Sequence, residues 1–352
     1  MTRFSLATLR PFSNALFEAS GLSPEHAALV TDVLIHADLR GHGSHGLTRI
    51  PIYAERIAAG AVNARPDIRF ERPAPAFLQV DGDNGPGPVV SDAAVQAAIA
   101  TAKEQGVCVA AVARSNHNGS GSFYVEKAVA AGCIALAMTN APPSMAVFGG
   151  RQAVIGTNPV TFGTPVDGGT PIMMDMATSV VARGKVVEAA KRGEAIPEGW
   201  ALDADGKPTR DGRAAERGVV LPLSGPKGSA LAIMVEVLCG VLSGGRFAGS
   251  LGNLYSDFET PQDIGHFMLL IDVSRIHASN GYAARVRDLV LELKDSATAE
   301  GFSEIKMPGE VEMERARSNS AEGIDLPDNV IADLNAIAAK FALPPLAETE
   351  QA

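Results

Sequence analysis

The spacing of apolar residues changes near residue 75, and this change constrains the fold more strongly than any other feature of the chain. Over residues 5–60 the apolar residues recur at helical spacing. Ser23-Pro24-Glu25 is a typical helix start, because serine caps the first turn and proline fits its first position. From residue 75 onward, short apolar runs such as 107–113 alternate with helical patterns. The sequence therefore predicts a helical part followed by strands alternating with helices.

The same patterns place individual elements along the rest of the chain. Strands are predicted at 77–80, 107–113, 134–139, 153–157, 171–175 and 265–272. Helices are predicted at 91–105, 123–131, 179–192, 228–242, 282–298 and 328–341. Residues 193–218 are polar and rich in Gly, Asp and Arg, which predicts an exposed excursion or hairpin. Helix 228–242 is very apolar and is expected at a subunit or domain interface.

Composition and charge limit the class of protein. The 352 residues predict two or three domains, and 46% hydrophobic content provides for a large core. The net charge of −10 argues against nucleic acid and anionic membranes as partners. Three cysteines in apolar runs predict reduced, buried thiols, as in a cytoplasmic protein. Residues 1–10 lack the apolar core of a signal peptide, and the most apolar stretch is too short to span a bilayer.

The segment from His36 to Tyr53 carries the densest set of reactive groups, including three of the seven histidines. Three glycines alternate with polar residues there, so the backbone can turn tightly and expose those side chains. His45 is a candidate proton donor with the hydroxyl of Ser44 beside it. Arg49 is a fixed cation suited to a carboxylate, and the phenol of Tyr53 lies on the same helical face. These four residues suit an active site for a small carboxylic acid in which the carbon next to the carboxylate gains or loses a proton.

The histidines also have plainer interpretations. A histidine at a helix end is often structural, and His42 with His45 could be two metal ligands. Neither cysteine nor carboxylate stands at a zinc spacing nearby, and H-E-x-x-H is absent, so no metal is expected. His117 ends a strand beside a Gly/Ser loop, where a functional and a structural role are both open. The remaining histidines lie in or beside regular elements without a cluster of polar residues nearby, and are interpreted as structural or solvated: His26, His36, His266 and His277.

Nucleotide-binding motifs are incomplete. Gly119-Ser120-Gly121 supplies two glycines of G-x-G-x-x-G, but Tyr124 stands at the third position. The next strand carries no acidic residue for a ribose, so a Rossmann site is not expected. The loop 225–229 leads into a helix, and its amides with Lys227 could hold a phosphate. An ordinary loop before a helix, with an exposed lysine, explains it equally well.

Several stretches, in order across almost the whole chain, match one family. They are Asp38-Leu39-Arg40-Gly41-His42-Gly43-Ser44-His45-Gly46 with Arg49 and Tyr53, Ser115-Asn116-His117, Gly156-Thr157-Asn158-Pro159, Asp175-Met176-Ala177-Thr178-Ser179, Pro222-Leu223 with Lys227-Gly228, Gly265-His266-Phe267, and Pro308-Gly309-Glu310. Together they resemble the malate/L-lactate dehydrogenase family. This group of nicotinamide-dependent reductases lacks the Rossmann fold and includes ureidoglycolate and L-sulfolactate dehydrogenases and the cyclic-imine reductases.

The resemblance implies an α/β fold with two domains. A mostly helical domain, carrying the catalytic Ser-His pair, would combine residues 1–75 with 311–352. A non-Rossmann mixed-sheet domain, residues 76–310, would bind the cofactor. Members of the family are typically homodimers with active sites near the subunit interface.

The resemblance also implies roles for residues. His45 would donate the proton, with Ser44 in its relay, Arg49 would grip the carboxylate with Tyr53 beside it, and His117 would share acid/base duty. The implied cofactor is NAD or NADP, with NAD slightly favoured. The implied cofactor contacts are His117, Gly119, Ser120, Gly121, Asp175, Met176, Ala177, Lys227, Gly228, Pro308, Gly309 and Glu310.

The implied reaction is hydride transfer between nicotinamide and C2 of a small 2-oxo or 2-hydroxy carboxylic acid. A cyclic imino-acid reductase is the alternative. Those reductases tend to carry an acidic residue where this chain has Lys185, which favours the hydroxy-acid branch. A third alternative is an inactive homolog that serves as a binding protein, against which the intact Ser44, His45, Arg49 and His117 argue.

Overall fold

The computed structural model describes residues 1–276 and 281–347. The prediction for His277 lies outside these described residues. The helices are α1 (Leu6–Ala19), α2 (Pro24–Leu39), α3 (Ile50–Ala58), α4 (Gly87–Gln105), α5 (Gly121–Ala130), α6 (Arg183–Arg192), α7 (Gly212–Glu216), α8 (Pro226–Val235), α9 (Val273–Ile276), α10 (Tyr282–Lys294), α11 (Glu310–Glu322) and α12 (Asp328–Lys340). The strands are β1 (Thr2–Phe4), β2 (Arg69–Ala74), β3 (Phe77–Asp81), β4 (Val107–Ser115), β5 (Cys133–Thr139), β6 (Val160–Thr164), β7 (Ile172–Met176), β8 (Ala201–Leu202), β9 (Pro208–Thr209), β10 (Val219–Val220), β11 (Ile264–Asp272) and β12 (Ile324–Leu326).

A seven-stranded sheet in the order β2-β3-β4-β11-β5-β6-β7 forms the centre of the molecule. Strands β3 and β4 pair in parallel through the crossover helix α4, and the other neighbours pair antiparallel. Strand β11 lies between β4 and β5, although both come more than a hundred residues earlier in the chain. This arrangement confirms the predicted α/β fold with a mixed sheet. It differs from a Rossmann fold, whose sheet is mostly parallel.

The N-terminal helices and the last helix, α12, share one hydrophobic core. Apolar side chains of α1, α2 and α3 pack with those of α12 in this core. Strand β1 pairs antiparallel with β12, from Thr2 opposite Leu326 to Phe4 opposite Ile324. Helix α2 begins where the sequence predicts, since the side chain of Ser23 accepts a hydrogen bond from the amide of His26 and caps the first turn.

Residues 193–218 contain more regular structure than the sequence predicts. This segment contains a three-stranded sheet in the order β10-β8-β9, together with α7. The buried Ile196, Ala201 and Ala215 of this segment pack in one core with residues from other parts of the chain, such as Met145 and Val186. Strands β8 and β9 form a hairpin, as the sequence predicts for this segment, and most of the segment is exposed.

Two element boundaries also differ from the prediction. The strand predicted at 153–157 is reduced to a single bridge between Ile155 and Met145, and a strand absent from the prediction, β6, follows it. The helix predicted from residue 179 begins at Arg183, because Ser179 forms a bridge with Pro222 and extends the chain there.

The predicted thiols are buried and unpaired: Cys108, Cys133 and Cys239. In the part of the chain that the structure describes, no helix combines the length and apolarity needed to cross a bilayer.

Candidate active site

A tight turn after α2 carries the first candidate residues. Helix α2 ends at Leu39, and Gly41 has a φ of +81°, a conformation that favours glycine. The buried carboxylate of Asp38 accepts the amide of Leu47 at 2.7 Å and so closes the turn. A Cβ on Gly46 would lie 2.1 Å from that carboxylate, so the turn requires glycine there. Burial raises the pKa of Asp38 to about 7, and the hydrogen bond from Leu47 opposes the rise.

This turn presents Ser44, His45 and Arg49 together. The Oγ of Ser44 lies 3.0 Å from Nδ1 of His45, and Nε of Arg49 donates to the Ser44 carbonyl at 2.7 Å. Burial, and next the charge of Arg49, lower the pKa of His45 to about 4. The carboxylate of Asp175 acts in the opposite direction. Without a ligand, the imidazole of His45 is therefore neutral at pH 7 and sensitive to any anion that neutralises Arg49.

His117 lies directly beside this group. Its ring stacks with that of His45 at 5.6 Å between centroids, with 28° between the planes. Its Nδ1 hydrogen-bonds the hydroxyl of Tyr53 and accepts the amide of Gly119 at 3.3 Å. Because an amide can only donate, the neutral ring carries its hydrogen on Nε2. Burial, followed by Arg49 and His45, holds the pKa of His117 well below its usual value.

The loop after β4 is tied to the sheet by Asp175 at the end of β7. One carboxylate oxygen accepts Ser120 Oγ at 3.0 Å and the amide of Ser122 at 2.9 Å. The other accepts Thr161 Oγ1 at 2.9 Å. A Cβ on Gly121 would lie 2.2 Å from that hydroxyl, so the loop approaches the sheet only with glycine. These contacts give Asp175 a role in holding the loop, in addition to the predicted contact with the cofactor.

A cleft of about 650 Å³, counting its open mouth, adjoins this loop. Three of the predicted cofactor residues line it, namely Asp175, Pro308 and Gly309. Its other lining residues include Arg40, His42, Ser122, Glu126 and Glu312.

Other predicted cofactor residues lie outside the lining of this cleft. Glu310 is not a lining residue, since its carboxylate pairs with Lys294 at 2.7 Å and accepts the amide of Met307 at 2.9 Å. Met176 and Ala177 are half-buried and follow Asp175 in the chain. Gly228 packs on the backbone of Thr178, where a Cβ would lie 2.6 Å from the carbonyl oxygen. Lys227 is exposed and forms no ion pair within the described residues.

The N-terminus of α6 also reaches the site. A Cβ on Gly184 would lie 3.8 Å from Cβ of Ser44. Lys185 follows Gly184 in the first turn of α6. Lys185 is exposed.

Sequence analysis missed two residues that contact the candidates from a distant segment. Nη1 of Arg49 donates to the hydroxyl of Tyr255, whose ring centroid lies 5.5 Å from the Arg49 Cζ. The Oε1 of Gln262 accepts the backbone amide of His117 at 3.2 Å. No local motif marks either residue, because both contacts join parts of the chain that are far apart in sequence.

The sequence shows no polar neighbours for two further histidines, but the structure gives both of them buried hydrogen-bond partners. His266 lies 2.9 Å from Thr139 Oγ1 and 2.9 Å from Ser115 Oγ, and burial lowers its pKa to about 3. His36 lies 3.1 Å from Ser122 Oγ, and burial lowers its pKa to about 2. Both are structural residues. Among the described residues, no group of three His, Cys, Asp or Glu side chains could hold a metal ion.

Comparison with known proteins gives a consistent result. The sequence profile of the malate/L-lactate dehydrogenase family matches residues 4–335. The chain is 37% identical to the ureidoglycolate dehydrogenase (NAD(+)) of Escherichia coli K12 over 90% of both chains. The sulfolactate dehydrogenase structure from Methanocaldococcus jannaschii superimposes with a TM-score of 0.90 at 34% identity, covering 97% of this chain and 98% of that one. The Δ1-piperideine-2-carboxylate reductase from Pseudomonas syringae pvar. tomato gives 0.86 at 33% identity, covering 96% and 100%.

Proposed function

The chain belongs to the malate/L-lactate dehydrogenase family, and from this premise we propose that it is an NAD(P)-dependent oxidoreductase of small 2-oxo and 2-hydroxy carboxylic acids. One observation carries the proposal. The proton-donor candidate His45, the cation Arg49 and the Tyr53–His117 pair converge on one site. This site adjoins the cleft that Asp175, Pro308 and Gly309 line.

The residues of the cleft fit a nicotinamide dinucleotide. Asp175, Ser122 and Gly309 line it, and the φ of +93° at Gly309 lets the backbone approach closely at a position that disfavours other residues. These residues, with the His117–Gly121 loop, would hold the cofactor. When bound, the nicotinamide supplies or accepts the hydride at C2 of the substrate.

Arg49 binds the substrate carboxylate. A guanidinium is a planar, permanently charged donor that matches a carboxylate, and this one is half-buried. Its grip fixes C2 and the carbonyl oxygen relative to His45, which is the orientation that catalysis requires.

His45 supplies the proton to the carbonyl oxygen during reduction and removes it during oxidation. Its Nδ1 faces Ser44, which leaves Nε2 as the atom that exchanges the proton. A bound carboxylate offsets the charge of Arg49, one cause of the lowered pKa of His45, so substrate binding promotes the imidazolium form. The carboxylate of Asp175 favours the same form.

A cyclic imino-acid reductase is a second candidate function. The likeness to the Pseudomonas syringae reductase supports it, since an imine nitrogen can take a proton as a carbonyl oxygen does. Lys185, in the first turn of α6, favours the hydroxy-acid branch.

Turnover by the purified full chain tests the proposal. NADH and NADPH are each mixed with pyruvate, oxaloacetate, 3-sulfopyruvate and Δ1-piperideine-2-carboxylate, and loss of cofactor absorbance is followed. We expect oxidation of the cofactor with at least one 2-oxo acid. His45→Ala should abolish turnover while leaving NADH affinity, measured by fluorescence, nearly unchanged. His26→Ala, a histidine of α2 outside the site, is the control. Full activity in His45→Ala contradicts the assignment, and faster turnover of the imine selects the second candidate.

The surroundings of the site support three further proposals. Three apolar side chains along α8 and the π-helical turn that follows it are about half exposed, at four-residue intervals: Ile233, Val237 and Val241. Such an exposed apolar row suits the interface of a homodimer.

The unpaired thiols suit the cytoplasm, where cysteines remain reduced. The core shared by α1–α3 and α12 supports the division into domains at 1–75 with 311–352, and 76–310.

A further inference from the structure

The loop from Gly252 to Gln262 crosses the active site without regular secondary structure of its own. Its ends are joined, since the amide of Gly252 donates to the carbonyl of Gln262 at 3.0 Å. Inside, the side chains of Asn253 and Asp257 accept amides of the residues that follow them. It is therefore a compact loop of fixed shape.

Hydrogen bonds from Arg56 of α3 hold this loop in place. Its guanidinium is almost fully buried and donates to the carbonyls of Asn253 and Thr260, each at 3.2 Å, and to that of Asp257. Hydrogen bonds from a charged donor are among the strongest in a protein. A single side chain thus fixes three points of the 252–262 loop to the helix that begins next to Arg49.

The 252–262 loop meets the candidate site at Tyr255, above Arg49. The hydroxyl of Tyr255 accepts Nη1 of Arg49, and its ring faces the guanidinium at 5.5 Å. The other fixed point of Arg49 is the bond from Nε to the Ser44 carbonyl. A guanidinium has five N–H groups, so these two bonds leave three, all on the terminal nitrogens Nη1 and Nη2.

We propose that Tyr255 is a positioning residue of the active site, which fixes the Arg49 guanidinium in the orientation that binds the substrate carboxylate, and that Arg56 holds the loop carrying it. The inference rests on the proposed function, because Arg49 must bind a carboxylate. Tyr255 is 61% exposed and is therefore not a core residue. Its side chain acts mainly through its contact with Arg49.

Two substitutions separate the hydroxyl from the ring. Tyr255→Phe removes the hydrogen bond and keeps the ring, whereas Tyr255→Ala removes both. We expect KM for the best 2-oxo acid to rise about 10-fold in the first and further in the second, with kcat within about twofold, because Arg49 grips the carboxylate in ground and transition state alike. NADH affinity should stay unchanged. Ser256→Ala, the next residue of the same loop and also exposed, is the control.

Binding of oxalate to the NADH complex, measured by calorimetry, tests the inference without turnover. Weaker oxalate binding in both Tyr255 variants, with a larger loss in Tyr255→Ala than in Tyr255→Phe, supports the inference. This holds even if no 2-oxo acid proves to be a substrate, because only the proposed function then fails. Unchanged KM and oxalate affinity in both variants overturn the inference. A loss confined to kcat also overturns it, because Tyr255 would then act on the chemical step.

Discussion

The buried carboxyl group of Asp38 should make the stability of the protein depend on pH. Asp38 is 8% exposed, and burial raises its pKa from 3.8 to about 7. The substitution Asp38→Asn keeps the shape of the side chain and an oxygen that can accept the amide of Leu47. It removes the group that ionises and replaces the second oxygen with an NH2 group, so the variant is uncharged at this position at every pH.

The sign and size of the effect follow from the two pKa values. The folded protein holds the Asp38 proton more tightly than the unfolded chain does, so the stabilisation is complete below pH 3.8 and is lost as the pH rises through about 7. The difference from 3.8 to about 7, at 1.36 kcal/mol per unit, corresponds to about 4 kcal/mol. The asparagine variant does not lose this energy. The unfolding free energy of the variant minus that of the wild type should therefore increase by about 4 kcal/mol from about pH 4 to about pH 8.

Urea unfolding at a series of pH values measures this difference directly. Other carboxylates titrate equally in both proteins and cancel. Asp295→Asn, an exposed carboxylate at the end of α10, is the control and should give a flat difference. A flat difference for Asp38→Asn as well, or one that declines with pH, would refute the reasoning. Asp38 would then be ionised in the folded protein, and burial would not govern its titration.

Two further predictions concern ligand binding and assembly. Oxalate binding to the NADH complex should take up a proton at about pH 5, because the ligand offsets the effect of Arg49 and raises the pKa of His45 from about 4. The calorimetric heat should then vary with the ionisation enthalpy of the buffer, and His45→Ala should abolish that variation. Light scattering should give twice 36.5 kDa for the wild type and 36.5 kDa for Val237→Glu, with Leu289→Glu on α10 remaining dimeric as the control. A dimeric Val237→Glu would place the interface elsewhere.

Local chemistry made much of the fold predictable from the sequence. The end of α2 follows from the glycines after it, and the start of the same helix follows from Ser23 and Pro24. The strand 107–113 was predicted from a short apolar run, and β4 extends two residues beyond it. Each of these elements is determined within a few residues, so a local pattern is enough to predict it.

Contacts between distant segments were not predictable in the same way. Strands β1 and β12 have three residues each and are strands because they pair with each other. Tyr255 contacts Arg49 from 206 residues away. The polar partners of His266 come from the two strands that flank it, so its surroundings are invisible in its own segment. The resemblance to a family supplied candidate residues, whereas the hydrogen bonds among them required coordinates.

The position of β11 has a consequence for how this chain folds. Strands β4 and β5 cannot hydrogen-bond to each other in the finished sheet, because Ile264–Asp272 separates them. During synthesis, each of them therefore presents an unpaired edge until the ribosome has released a segment made more than a hundred residues later. Pairing over such a separation is slow, and open strand edges attract other chains in the meantime. We expect refolding at high protein concentration to lose material to aggregation before β11 inserts, and protection of the β4 and β5 amides from hydrogen exchange to arise together, in a single late step.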